Sequence, residues 1–298
     1  MLTLKKCSTS TAIARAGGFF CNEKQAVAFM LVDRSVRIDL ATFDKTELDE
    51  LMSQDKIIGP LRFDSAEDAN VDPGFTDTST GKRIKNTRGI KRWNFTFYKG
   101  YCFQNEIAKV DQSERYGWMP IFDDGSFGGA MLKDGRIKAF DCDLFVGVKN
   151  LKTSTEGGGG SVLMVDITPG SMGAWQDRFA VLEMDTVDFT ELNAIAALDI
   201  DLPVLVAAAT STVATITNLC ADSPVTGLTT PANWKMRRNG TLEAVTAITE
   251  VNGKYTFTHA ALVANDMISF ETNVGGYPVY VLDTDYYVGK SETVKVTA

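Results

Sequence analysis

DSAEDANVDPGFTDTSTGKRIKNTRGIKR, residues 64–92, changes charge sign partway and leads directly into Trp93-Asn94-Phe95-Thr96-Phe97-Tyr98. Its first half carries Asp64, Glu67, Asp68, Asp72 and Asp77; its second half carries Lys82, Arg83, Lys85, Arg88, Lys91 and Arg92 with no acid among them. The apolar periodicity of the stretch is weak, so it reads as a loop of roughly thirty residues, a length that compact domains keep for functional segments or leave disordered. The alternating run after it reads as a strand. A charged loop entering a sheet suits contact between identical subunits, its acidic and basic ends offering opposite signs to neighbouring copies. Two other readings stay open for the basic half, a solvated surface and a nucleic-acid patch.

Strand signals continue on both sides. Ala26–Leu31 is a short apolar run expected to be a buried strand, and Ser35–Leu40 alternates as a half-exposed strand does. Asp44 and Glu47 form a capping box before Leu48, Leu51 and Met52, which predicts a short amphipathic helix at 45–54, ended before a Gly59-Pro60 breaker. From 92 to about 151 strands follow one another, YCFQNEIAKV (101–110) read among them, with hairpin turns at Asp124-Gly125 and Asp134-Gly135. Four glycines, 157–160, sit between two strand-like runs and predict a long hairpin with a flexible tip. WQDRFAVLEMD (175–185) reads as another strand, and Asp188–Ala197 as a helical turn. Beyond about 204 charges thin out, Thr, Val and Ala dominate, and short strand-like segments alternate with turns such as Asn239-Gly240 and Asn252-Gly253. The expected fold is therefore mainly β: a β-barrel or sandwich at 1–204 with one short helix and a long charged loop, then an immunoglobulin-like β-sandwich at 205–298.

Composition narrows the function. The chain has 298 residues, 44% hydrophobic and 23% charged, enough for two domains with real cores. A net charge of −8 opposes general nucleic-acid binding. Cys7, Cys21, Cys102, Cys142 and Cys220 are widely spaced with no C-x-x-C pair, which predicts reduced, packed cysteines and synthesis in a reducing cytosol. No signal-peptide h-region is read at the start, and no apolar run reaches the roughly 18 residues that span a bilayer.

No catalytic, cofactor or metal signature stands out. The single histidine, His259, forms no metal or triad pattern, and its expected role is structural. Asp123-Asp124-Gly125-Ser126 reads as a turn, and strand alternation places Asp141 and Asp143 on one wet face. A paired-carboxylate glycosidase built on Asp141 and Asp143 ranks last among the readings. The four glycines lack the phosphate-loop pattern. A carbohydrate- or cell-surface-binding sandwich is the alternative function, with Trp234, Tyr277, Tyr280, Tyr286 and Tyr287 as its aromatic candidates.

The order of the TELDELM helix, the DTSTGKRIKNTRGIKRWNFTFY passage and the hairpins, with the wording of KRWNFTFYKG and WQDRFAVLE, resembles tail-tube and tail-ring structural proteins of tailed bacteriophages, crAss-like phages among them. The resemblance implies a non-enzymatic virion component made in the host cytoplasm. It implies a homo-oligomeric ring or tube segment, other tail or connector proteins as partners, no membrane, and nucleic acid only as a passenger of the lumen. Residues 64–92 would be the arm that reaches a neighbouring subunit or ring, and the C-terminal domain would decorate the outside.

Overall fold

A computed structural model describes residues 2–4, 24–87, 89–151 and 160–298. The chain is mainly β and divides into two compact units, 1–47 with 57–191, and 48–56 with 192–298. No helix among the described residues is long and apolar enough to cross a membrane.

In chain order the first unit contains β1 (Leu2–Leu4), β2 (Ala26–Asp33), the start of α1 (Lys45–Ser53), β3 (Ile57–Arg62), β4 (Ser65–Asp68), β5 (Phe75–Asp77), β6 (Arg83–Lys85) and β7 (Arg92–Phe97). It continues with α2 (Tyr101–Ile107), β8 (Tyr116–Phe122), β9 (Phe127–Met131), β10 (Ile137–Lys138), β11 (Phe140–Val146), β12 (Ser161–Ile167), α3 (Met172–Asp177) and β13 (Phe179–Met184). Its main sheet runs β1-β13-β9-β8-β11-β12-β7-β4, with β2 joined to β8 and β3 and β10 joined to β9. Alternation fixes which face is buried. Phe95 and Phe97 of β7, Leu163 and Val165 of β12 and Phe140 and Leu144 of β11 point into one core, where Phe29 meets Phe95 at 4.7 Å and Trp93 stacks on Trp118 at 4.9 Å.

The expected hairpins at Asp124-Gly125 and Asp134-Gly135 are present, each glycine at positive φ. β11 and β12 pair as the arms of the long hairpin, whose residues 152–159 lie outside the described residues. The Glu47 amide donates to Asp44 Oδ1 at 2.9 Å, the cap expected for α1.

Four local expectations fail. Residues 101–110 are α2 and a 3₁₀ turn rather than a strand, because Phe103, Gln104, Ile107 and Val110 recur at helical spacing and pack inward together. Ser35–Leu40 is a turn-rich connection with an isolated Ile38–Ile137 bridge, and the Ser35 amide and hydroxyl both donate to Asp33 Oδ1. Gly59-Pro60 lies inside β3, where the pairing with β2 shifts register, and breaks nothing. Met172–Asp177 forms α3, so the strand around 175–185 begins only at Phe179.

The longer segment of the second unit, 192–298, opens its sheet with β14 (Ile195–Asp201), whose first residues fall in the segment read as a helical turn. It continues with β15 (Ser211–Asn218), β16 (Trp234–Arg238), β17 (Thr241–Ala244), β18 (Ala247–Val251), β19 (Lys254–Thr258), β20 (Met267–Thr272), β21 (Val279–Leu282), β22 (Asp285–Gly289) and β23 (Val294–Lys295). Two sheets, β18-β19-β15-β14-β22-β21 and β17-β16-β20-β23, enclose a core of Ile216, Trp234, Met236, Phe257, Ile268 and Phe270. Lettered in chain order without the β21–β22 hairpin, these sheets are D-E-B-A and C′-C-F-G, the immunoglobulin arrangement. The hairpin extends the first sheet beyond β14, which β22 joins in parallel. Trp234, fully buried at the start of β16, donates from Nε1 to the Leu228 carbonyl at 2.9 Å.

The cysteines depart from the reduced reading. Cys102 and Cys220 are each disulfide-bonded, while Cys142 is free and buried in β11, where desolvation pushes its thiol far up. Cys102 is only half-buried and Cys220 is exposed, so neither is the packed apolar residue expected of it. Disulfides persist in oxidising surroundings, which removes the basis for inferring a reducing compartment from the cysteine spacing. Cys7 and Cys21 lie outside the described residues.

Candidate intersubunit arm

The stretch 64–92 is not an irregular loop. β4 pairs antiparallel with β7 from Ser65–Thr96 to Asp68–Trp93, Val71 bridges Ile90, and β5 pairs β6 from Phe75–Lys85 to Asp77–Arg83. The result is one β-ribbon folded at 78–82, where the Thr78 amide donates to the Lys82 carbonyl and the Gly81 amide donates to the Thr78 carbonyl. Gly81 takes φ +77°, the left-handed position that closes short hairpin loops. The register slips by one residue between the Val71–Ile90 and Phe75–Lys85 pairs, where the Gly74 amide donates to Thr87 Oγ1 at 2.7 Å. Gly89 lies beside that slip at φ +77°, and a side chain there would meet the Val71 carbonyl at 2.6 Å.

This geometry corrects the expected charge layout. The acidic and basic halves are not two separated ends of a loop; they lie side by side as the two strands of one ribbon. Asp77 faces Arg83 in register, with Oδ1 3.8 Å from Nε, and Arg83 also covers the Phe75 ring at 4.6 Å. Asp64, at the base, accepts the Tyr98 amide at 2.6 Å, and Glu67 accepts from Asn94 at 3.4 Å. Arg92 lies on the sheet face opposite the core and makes a two-pronged contact with its cross-strand neighbour Asp166 of β12 at 2.7 and 2.5 Å, so it ties β7 to β12 rather than reaching out from the ribbon. Asp68, Asp72, Lys82, Lys85 and Lys91 have no ion-pair partner among the described residues, and all but the half-buried Lys91 are exposed. Arg88 lies outside the described residues.

What sequence reasoning missed is apolar. Val71, Phe75, Ile84 and Ile90 are 48, 47, 46 and 41% exposed along the ribbon. The signal was present as FTD and RIK flanking a Thr-Ser-Thr-Gly turn, which reads as a hairpin once the glycine is given the left-handed position. β5 and β6 form a two-stranded sheet that pairs with no other strand among the described residues. Residues 72–91 hold five lysines and arginines against two aspartates, a net +3 on a chain of −8.

The other candidate residues resolve differently. Asp141 and Asp143 share the outward face of β11 as expected, Asp141 held by Lys138 at 2.6 Å and Asp143 lying 3.9 Å from Arg34. Of the five proposed sugar-binding aromatics, Trp234, Tyr280 and Tyr286 are buried in the sandwich, which leaves Tyr277 exposed and Tyr287 half-buried. His259 is buried, one ring nitrogen 2.9 Å from Thr212 Oγ1 and the other 2.8 Å from the Ala260 carbonyl, a structural placement.

No protein-family model matches the chain, and no curated protein matches it. Among solved structures it is similar to a chimeric titin Z1Z2 functionalized with a KLER exogenous peptide from decorin, at 10% identity, covering 58% of this chain and 88% of that chain with a TM-score of 0.21. A likeness at that level carries no argument about fold or function, and the immunoglobulin-like assignment rests on strand order alone.

Proposed function

We propose that the protein is a non-enzymatic structural subunit that assembles head to tail with copies of itself, as a ring or tube segment of a phage virion, through the 64–92 ribbon. The observation that carries this reading is the free-standing β5–β6 hairpin with its exposed Phe75 and Ile84. A two-stranded ribbon is marginally stable in water, and docking it on a second surface removes its apolar side chains from solvent. Its basic distal part complements a chain whose remaining residues are strongly acidic. One patch meeting a different patch is the interface type that closes rings or extends tubes. The phage setting rests on the resemblance of sequence wording and element order.

Light scattering coupled to size exclusion, followed by electron microscopy of the largest species, tests the proposal. Closed rings or stacked tubes are expected. A strict monomer across concentration and salt overturns it.

A further inference from the structure

The second unit carries a charge asymmetry that the arm does not use. Residues 192–298 contain ten acids and six lysines and arginines, yet four of those six bases gather on one surface. Register shows this directly. Lys235 lies opposite Glu271, Arg237 opposite Ser269, Lys295 opposite Met267, and Glu271 bridges Lys290. Residues opposed in an antiparallel ladder share a face, so Lys235, Arg237, Lys290 and Lys295 all stand on the outer side of the β17-β16-β20-β23 sheet. Trp234, Met236, Ile268 and Phe270 occupy the inner side.

The single carboxylate among these outward side chains is already matched. Glu271 accepts two hydrogen bonds from Arg237, at 2.8 and 3.1 Å. Lys290 stands farther off, 3.7 Å from Glu271, with its side chain 55% exposed. Lys235 and Lys295 have no ion-pair partner among the described residues. Two ammonium groups without an ion-pair partner among the described residues, Lys235 and Lys295, therefore share one face with Lys290, whose pairing to Glu271 is long, in a module that is acidic overall.

Beside this face lies an open cleft of about 500 Å³, lined by Asn273, Lys290 and the paired Arg237 and Glu271 and by the apolar Leu198, Pro278 and Val288. The loop at one side contains Gly275 and Gly276 at φ +62° and +100° and is tied by the Gly276 amide donating to Asn273 Oδ1 at 3.0 Å. That bond occupies the oxygen of Asn273 and leaves its NH₂ group without a partner among the described residues.

We propose that this basic sheet face and its cleft form a binding site for a carboxylated polysaccharide. A cleft of this size suits one or two sugar rings, with a few polar groups fixing orientation over apolar walls. Lys290 and the Asn273 amide would take a sugar carboxylate and hydroxyl, while Lys235 and Lys295 would follow the charges of adjoining sugars. Nucleic acid fits less well. The outward positions between the bases are Leu242, Ala244, Met267 and Ser269, which offer no ring on which bases could stack. The inference does not rest on the assembly role of the arm.

The test uses the full chain and calorimetric titration with oligogalacturonate, with uncharged dextran and oligo(dT) as comparators, at about 50 and about 300 mM NaCl. Saturable oligogalacturonate binding that weakens with salt is expected, with none to dextran. The Lys235→Glu/Lys290→Glu variant should lose about tenfold or more in affinity with an unchanged melting temperature. The Asn273→Ala variant, which leaves every charge in place, should also weaken binding. Lys82→Glu/Arg83→Glu/Lys85→Glu, which removes the basic arm, should bind as the parent does, so failure of the arm proposal and failure of this one are separable. Absence of oligogalacturonate binding, equal or tighter binding of oligo(dT), or unchanged binding by both face variants would overturn the proposal.

Discussion

The Tyr286 hydroxyl donates a 2.6 Å hydrogen bond to Asp49 Oδ1 across 237 positions of sequence. Tyr286 is fully buried in β22 and Asp49 sits on α1, in the short segment 48–56 that belongs to the second unit. Burial, and then the neighbouring Asp49 carboxylate, hold the phenol far above its ordinary pKa. A bond to a charged acceptor in such a place contributes about 1.5–3 kcal/mol. Tyr286→Phe should therefore lower unfolding stability by about that amount. Urea unfolding of Tyr286→Phe, Asp49→Asn and the double variant separates the pair term from each residue's other contacts. A Tyr286→Phe midpoint equal to the parent's would show that the bond contributes nothing.

Alkaline pH should act on the same unit. Burial raises Tyr255 from 10.0 to about 12 and is also the largest cause of the raised values of Tyr286 and Tyr287. Below pH 10 these phenols are protonated in folded and unfolded chains alike, and stability is fully present. As pH rises further the unfolded chain releases protons that the folded chain retains, so stability falls, for Tyr255 across about pH 10 to 12. Phenolate absorbance should rise in two stages, exposed tyrosines first and the buried ones together with loss of tertiary signal. A single stage, with structure intact throughout, would contradict the assignment.

Arg92 should behave unlike the other bases of its stretch. Its guanidinium satisfies Asp166, whose side chain is only 13% exposed, and its removal strands that carboxylate in the sheet. Arg92→Met is expected to cost about 1–3 kcal/mol and to lower the melting temperature measurably. Lys82→Glu, on the exposed turn of the ribbon, should leave the melting temperature unchanged. Equal melting temperatures for both variants would mean that the Arg92–Asp166 pair contributes nothing to the sheet.

Thiol chemistry should separate the cysteines by place. Cys142 is buried and its thiol is pushed up by desolvation, so it should react with alkylating reagents only after unfolding. Peptides containing Cys102 and Cys220 should shift in mass mapping only after reduction. Rapid alkylation of either in the native, unreduced protein would remove its disulfide.

Strand pattern carried most of this fold because period-two alternation is a local property. WNFTFY and TVATITNL place alternate side chains inward wherever they pair, and Asp-Gly turns specify their hairpins nearby. Pairing partners were not legible: nothing local in Asp49 announces Tyr286, and nothing in Asp188–Ala197 shows that β14 will join β22 in parallel. The helix at 101–107 hid behind aromatic residues with high strand propensity, and its inward spacing becomes decisive only against the core that receives it. At the arm, charge was read from composition, whereas its meaning depended on cross-strand register. Asp77 and Arg83 are six positions apart in sequence and directly opposite in space.

That register sets what the arm variants should show. With the acidic and basic strands side by side, attraction to another copy comes from the distal excess of bases and from the apolar side chains, not from two oppositely charged ends. Lys82→Glu/Arg83→Glu/Lys85→Glu turns the net +3 of residues 72–91 strongly negative while leaving the ribbon's backbone ladder in place. Assembly should fail, most completely at low salt where like-charge repulsion between copies is unscreened, and the monomer should melt as the parent does. Phe75→Thr/Ile84→Thr keeps every charge and retains strand propensity, so it should weaken assembly at all salt concentrations by removing buried apolar area. The two variants thus differ in salt dependence, which can be read by light scattering across an ionic-strength series. Normal assembly by both would leave the ribbon as solvated surface and place the subunit contact elsewhere.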